Sequence, residues 1–360
     1  MKLFIELLQV ALGTREKLSQ VPSEAEWNAL YEEAGRQAIV GVLFGGLEKL
    51  PAEQLPPMPV KMQWIGMVQV IEATYKLHCE RAVELTRRFR AVGFHSCILK
   101  GIGLAQYYPD PTRRQCGDID FLVIGCRKDV MQYLRNQYKV GLVVWHHIEA
   151  EIFDDVATEI HVHPSWLYGP LRNRSLQRFF ENELLGSDKG SKHSRVLIND
   201  TEFGFSVPSV SFNVVYSLVH TFHHLIEEGI GLRHIVDYFY VLRNLAPSSF
   251  PKGKERCNTQ IVSFIESIGL GKFLGAIMWV MEEVCGMARG ELLCEPNEKE
   301  GKFLMEEIMK GGNFGQYRTD KLVHNSAARI WALLPHYPNE VLWVVPWKIW
   351  HQFWKAAHKN

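Results

Sequence analysis

No Cys-x-x-Cys pair, no run of about 18 apolar residues of the kind a membrane span needs, and no excess of either charge sign occurs in this 360-residue chain. The seven cysteines (Cys79, Cys97, Cys116, Cys126, Cys257, Cys285 and Cys294) are scattered and odd in number. They indicate neither a disulfide framework nor a zinc ribbon, and they suit a reducing cytoplasm. Forty basic and forty acidic residues cancel, so there is no global attraction to nucleic acid, although a local basic groove stays open. No integral membrane segment is expected. The apolar N-terminus, Met1 to Leu8, is broken by Glu6 and reads as an amphipathic helix rather than a signal peptide. There is no internal repeat and no low-complexity tract. The glycine-rich stretch Gly311-Gly312-Asn313-Phe314-Gly315 lacks the lysine of a phosphate-binding loop and reads as a helix terminator. What is there is ordinary globular material, 47% hydrophobic and 22% charged, long enough for two or three compact units.

Helical periodicity dominates residues 1–92, interrupted by the proline cluster Pro51 to Pro59. Helices are predicted over Ser23 to Glu48, with Ser23 and Glu26 forming a capping box, and another from Val60 to Val92. Residues 93–207 are mixed. Strands are predicted at 94–99, 118–124, 141–152 and 156–163, helices near 101–108 and 127–138, and a hairpin whose arms at 195–198 and 202–205 flank Asn199-Asp200-Thr201. From Pro208-Ser209 the region 208–360 is almost wholly helical, and Trp347, Trp350 and Trp354 near its end form one helical stripe suited to docking on the core. The class is therefore α+β, a small mixed sheet between two helical regions.

The most informative stretch is Gly117-Asp118-Ile119-Asp120-Phe121-Leu122-Val123. In a strand Asp118 and Asp120 share a face about 6.6–7 Å apart, while Ile119 and Phe121 enter the core. Two like charges so placed call for a cation between them, and a hard divalent ion with oxygen ligands, Mg²⁺ or Mn²⁺, is the natural neutraliser. Upstream, the strand ending at Leu99 runs into Lys100-Gly101-Ile102-Gly103 and a helix start, an arrangement whose exposed backbone N–H groups can receive a phosphate. Downstream, Thr158-Glu159-Ile160-His161-Val162-His163 alternates with period two, which supplies a third carboxylate at Glu159.

Leu99-Lys100-Gly101, Tyr108-Pro109-Asp110-Pro111, Arg113 or Arg114, Gly117 to Val123, Glu159-Ile160-His161, His220 to His224 and Gly231 to Asp237 together resemble the uncharacterised nucleotidyltransferase family of bacteria, within the polymerase-β-like superfamily. The resemblance covers roughly residues 90 to 245. It implies a small nucleotidyltransferase core (93–207) flanked by an N-terminal helical region (1–92) and a C-terminal helical domain (208–360). It also implies metal-binding carboxylates on two adjacent strands, which fall here on Asp118, Asp120 and Glu159. One departure stands out: the superfamily's Gly-Ser pair after the first strand is replaced by Lys100-Gly101, with a long spacer to Asp118.

The expected activity is transfer of a nucleoside monophosphate from a nucleoside triphosphate to a hydroxyl or phosphate acceptor, with pyrophosphate release. The acceptor class stays open among small molecules, proteins and RNA. Lys100, Gly101, Gly103, Arg113 and Arg114 are candidate phosphate contacts, since arginine grips phosphate bidentately and lysine acts as a point charge. His161, His220, His224, Arg233 and Asp237 are substrate-side candidates. Zinc is disfavoured, because His161 and His163 at i, i+2 have no third histidine or cysteine nearby in sequence. Two other readings remain: a catalytically inactive nucleotide-binding or regulatory protein keeping the fold, and a helical module recruited to a membrane by the tryptophan-rich tail.

Overall fold

A computed structural model describes residues 1–185, 198–245, 254–319 and 326–358. The first helices are α1 (Lys2–Leu12), α2 (Glu24–Arg36), α3 (Val40–Leu47) and the long α4 (Met58–Ala91). The capping box is present: Ser23 N donates to Glu26 Oε2 at 2.7 Å and Glu26 N donates to Ser23 Oγ at 3.3 Å. The helical stretch expected from Ser23 to Glu48 is divided into α2 and α3, because the chain turns at Ala38, a non-glycine residue with φ 54°. Nothing in that residue type announces a break.

The sheet elements follow: β1 (His95–Ile98), α5 (Ile102–Ala105), β2 (Ile119–Ile124), α6 (Arg127–Gln137), β3 (Lys139–Val143), β4 (His147–Glu151) and β5 (Thr158–His161). Their order is β1-β2-β5-β4-β3, and β2–β5 is its parallel pairing. The predicted strand at 141–152 is thus a hairpin, β3 against β4 with a register shift between Val140 and Val143. The helix expected at 101–108 shrinks to the single turn α5.

The remaining elements are α7 (Pro170–Leu185), β6 (Asn199–Asp200), β7 (Ser206–Val207), α8 (Val210–Glu227), α9 (Leu232–Asn244), α10 (Lys254–Ser267), α11 (Gly271–Glu283), α12 (Glu298–Gly311), α13 (Ser326–Leu333) and α14 (Pro338–Ala357). Asn199 and Asp200, read as a turn, are strand residues paired with Val207 and Ser206. The turn falls at 201–205, where Thr201 Oγ1 donates to Phe205 O at 2.8 Å; Arg195 to Leu197 of the expected arm lie outside the described residues.

Alternation along the strands divides the sheet between two apolar clusters. Ile98, Ile119, Phe121, Val123, Ile148 and Ile160 face Leu85 and Phe89 of α4 and Val130 and Leu134 of α6. Cys97, Leu99 and Leu122 face the opposite way, into a cluster that also takes in α1, α3, α8, α9 and α11. Asp118 and Asp120 share the parity of Leu122, so both carboxylates point toward the helical side. That orientation sets the site between the sheet and α8–α9.

Of the tryptophan stripe, Trp347 docks, stacked on Trp166 with centroids 5.3 Å apart, and Trp354 covers the Arg127 guanidinium. Trp350 stays 45% exposed, and Leu342, Val345, Ile349 and Phe353 form an outward apolar ridge beside it.

Candidate active site

Parallel pairing of β2 with β5 sets Asp120 directly opposite Glu159. Asp118 lies two residues before Asp120 on the same side, and one carboxylate oxygen from each of Asp118, Asp120 and Glu159 lies within 4.8 Å of the others. The three predicted carboxylates are thus brought together. Two cationic groups answer them: Lys100 Nζ lies 2.9 Å from Asp120 Oδ1, and His161 Nε2 lies 2.9 Å from the same oxygen and 3.3 Å from Glu159 Oε2.

Burial opposes ionisation of Asp120, yet Lys100 and the His161 hydrogen bond hold its carboxyl well below the usual carboxylate range. Burial likewise opposes charging His161, but hydrogen bonds to Asp120 and Glu159 push it up to about 9. Asp118 is shifted the other way, raised by the negative charge of Asp120 and then by burial. Asp120 Oδ2, fully buried, has no hydrogen-bond partner. An unpartnered carboxylate oxygen in a cluster of three carboxylates fits a hard divalent cation, whose preferred ligands are oxygens.

Sequence reasoning missed the histidines behind this cluster. The β4–β5 pairing sets His147 opposite His161. His147 Nδ1 then lies 3.4 Å from Glu159 Oε2 and 2.9 Å from His146 Nε2. Burial lowers His147 to about 4. Finding it from sequence would have required knowing both the hairpin and its register.

The opposite wall is helical. A narrow cleft, open to solvent, runs between Lys100, Gly101, Asp118 and Asp120 on one side and His220, Thr221, Arg233 and Asp237 on the other. Phe314 also lines it. The loop read as a helix terminator does end α12, and it also carries this ring to the cleft, 5.0 Å from the Arg233 guanidinium. His224 does not line the cleft; it lies behind His220, their Nε2 atoms 2.9 Å apart.

The phosphate candidates separate. Lys100 and Gly101 line the cleft, and Gly101 adopts φ 57°, ψ −123°, a backbone conformation that favours glycine. Gly103 is a packing glycine, since a Cβ there would come within 2.7 Å of Ile98 O. Arg114 borders the cleft, but its guanidinium is clamped bidentately on Asp237, Nε to Oδ1 and Nη2 to Oδ2 both at 2.8 Å, and Tyr108 Oη donates to Asp237 Oδ1 at 2.6 Å. Arg113 lies away from the cleft among Glu48, Asp110 and Glu72, over the Phe44 ring. Arg113, a sequence candidate for phosphate contact, is thus engaged by three carboxylates outside the cleft, and its Nη1 is buried without a hydrogen-bond partner.

Residues 23–286 match the model of a family described as uncharacterised nucleotidyltransferase, and the chain belongs to that family. No curated protein matches it. Among solved structures, an antigenic nucleotidyltransferase-like protein from Paracoccidioides brasiliensis is similar at 10% identity and a TM-score of 0.30, over 53% of this chain and 90% of that chain.

Proposed function

We propose that this member of the uncharacterised nucleotidyltransferase family is a Mg²⁺- or Mn²⁺-dependent enzyme of the polymerase-β-like kind, moving a nucleoside monophosphate from a nucleoside triphosphate to a hydroxyl or phosphate acceptor. The observation that carries this reading is the convergence of Asp118, Asp120 and Glu159, with Asp120 Oδ2 left unpartnered. These three residues would hold the cation. Bound there, it would neutralise the α-phosphate and the departing pyrophosphate and lower the pKa of the acceptor hydroxyl.

The chain's own groups account for the rest. A bond forms between the acceptor oxygen and the α-phosphorus, and the bond from that phosphorus to the β-phosphate bridge breaks. Lys100, lining the cleft, offers a point charge to phosphate oxygens once a cation shares the neutralising of Asp120 with it and His161. Gly101 permits close backbone approach beside it. Arg233 adds a guanidinium on the facing wall, and Phe314 adds an aromatic ring to the lining a base or acceptor would meet. Glu159, held below the ordinary glutamate value by the His161 hydrogen bond against the effect of burial, is ionised and can take the acceptor's proton.

A second reading has its own support. Lys100 and His161 pair with Asp120 directly, as expected of a protein that binds nucleotide without turning it over. Incubating the chain with γ-³²P-labelled nucleoside triphosphates and Mn²⁺, so that released pyrophosphate carries the label, separates the two. Pyrophosphate release that is lost in Asp118→Asn supports transfer. Nucleotide-dependent thermal stabilisation without pyrophosphate release supports the inactive form.

A further inference from the structure

We propose that His220, His224 and His234 form a binding site for an imidazole-preferring transition metal, Zn²⁺ foremost, with an open coordination position toward the cleft. The three side chains each offer a ring nitrogen, and these atoms lie within 4.8 Å of one another. In a closed tetrahedral zinc site, with Zn–N near 2.0–2.1 Å, such nitrogens sit about 3.3 Å apart. Small ring rotations close the difference. His220 and His224 stand one turn apart on α8, and His234 reaches them from the first turn of α9. Phe314 packs on the rings of His224 and His234, with centroids 4.8 and 5.3 Å away, and limits the trio's access to bulk water.

The hydrogen-bond surroundings match those of metal-bound histidines, which commonly donate their second nitrogen to an oxygen. His224 Nδ1 lies 3.5 Å from Glu228 Oε2, which leaves its Nε2 as the ligand atom; His234 Nδ1 lies 3.4 Å from both the carbonyl oxygen and the amide nitrogen of Gly231, and its Nε2 ligates in the tautomer that donates Nδ1–H to the carbonyl. His220 and His224 already present Nε2 to Nε2 at 2.9 Å, where two lone pairs repel unless a proton or a cation lies between them.

His220 and His234 line the cleft whereas His224 does not. Three protein ligands with the fourth position facing a cavity is the donor count of an exchangeable zinc site, at which water or a donor atom of a cleft-bound molecule completes the shell. The two clusters would also sort metals, the carboxylates taking oxygen-preferring Mg²⁺ or Mn²⁺ and the imidazoles taking Zn²⁺. Sequence reading disfavoured zinc because it weighed only His161 and His163. His234 lies on a different helix from His220 and His224, and no zinc spacing pattern announces it.

The site shares its cleft with the carboxylates, but its metal binding is tested without nucleotidyl transfer. The full chain, stripped with EDTA, is titrated with Co²⁺ and followed by visible absorption. One Co²⁺ per chain should give the intense bands of tetrahedral coordination, displaced by Zn²⁺. His224→Gln and His234→Gln should each weaken binding by about 10-fold or more, while Asp118→Asn and His147→Gln should not. X-ray absorption at the zinc edge of the wild-type protein should count three imidazoles, a readout that needs no variant to fold. No cobalt bands, or an oxygen-dominated zinc shell, would overturn the proposal. So would bands that survive in His224→Gln but vanish in His147→Gln, which would place the ion at His147, Glu159 and His161.

Discussion

Lys100 Nζ lies 2.9 Å from Asp120 Oδ1, the same carboxylate oxygen that His161 Nε2 approaches. The lysine side chain is 20% exposed and the aspartate 1%, so the pair is nearly dry and neither charge tolerates losing the other. Removing one partner of a buried ion pair typically costs about 3–5 kcal/mol; the residual exposure of Lys100 and the help of His161 point to the lower end. Lys100→Met should therefore melt well below the wild type in EDTA. Mn²⁺ should restore part of the loss, because a cation on the carboxylates does the missing neutralising. An identical melting temperature with and without Mn²⁺ in that variant would remove the cation from the argument.

Asp118→Asn should separate activity from stability. Asp118 is raised by the charge of Asp120 and by burial, so its ionised form weakens the metal-free fold and the neutral amide relieves that repulsion. The sign is definite: a carboxyl with a raised folded-state pKa lowers stability as pH climbs through its titration. Metal-free Asp118→Asn should be as stable as the wild type at neutral pH, or slightly more so. Its nucleotidyl transfer should fall by about 10²–10³-fold, the scale for losing one preorganised electrostatic group. Wild-type turnover would contradict the carboxylate mechanism.

Gly101 and Gly103 should respond to substitution for different reasons. Gly103→Ala drives a Cβ to 2.7 Å from Ile98 O, which forces α5 away from β1. It should destabilise the protein by about 1–3 kcal/mol, as overpacking does, with nucleotide affinity of the surviving folded protein little changed. Gly101→Ala places a side chain at φ 57° beside the cleft, so it should lower both stability and nucleotide binding. Calorimetric titration of folded Gly103→Ala with nucleotide checks the contrast.

The carboxylate half of the site was legible in the sequence because strand alternation is local: Asp118, Asp120 and Glu159 each announce their face within a few residues. The histidine half was not. His147 joins Glu159 only through the β4–β5 register, and the β3–β4 turn contains Val144, Trp145 and His146 where a glycine, proline or asparagine would have marked it. Arg113 and Arg114 are adjacent in sequence yet end up on opposite sides of a turn, one among Glu48, Asp110 and Glu72 and the other on Asp237. Their separation depends on where α3, α4 and α9 pack, which no local pattern encodes.

Acid should unfold this protein more readily than its balanced charge suggests. His223 is buried between Trp166 and Tyr168, with Nε2 2.8 Å from Trp166 O, and burial lowers it to about 4. His163 is lowered to about 4 for the same reason. An unfolded histidine titrates near 6.5, so between pH 6.5 and 4 the unfolded chain binds more protons than the folded one. Stability is then fully present above pH 6.5 and falls as pH drops toward 4, by up to about 1.4 kcal/mol per pH unit for each such group. Urea denaturation at pH 7 and pH 5 should show the loss, and His223→Gln should make it smaller. An equal drop in that variant would assign the acid lability to other groups.

Residues 93–207 should not fold alone, because the sheet lends both of its faces to elements outside that span. On one face Phe121 packs against Phe89 of α4, ring centroids 5.0 Å apart, together with Leu85 and Ala82. On the other, Cys97, Leu99 and Leu122 belong to a cluster with residues of α8, α9 and α11, and Leu176 and Phe180 of α7 join them, Phe180 lying 4.9 Å from Phe212. Cutting at 93 and 207 would expose these side chains at once, and a contiguous apolar surface of that kind drives aggregation. The buried polar groups would suffer too, since Tyr108 and Arg114 both rely on Asp237 of α9. Expressed by itself, the 93–207 fragment should be insoluble or should bind hydrophobic dye without a cooperative melt. A monodisperse fragment with a sharp transition would show that the sheet carries its own core and that the surrounding helices are additions to it.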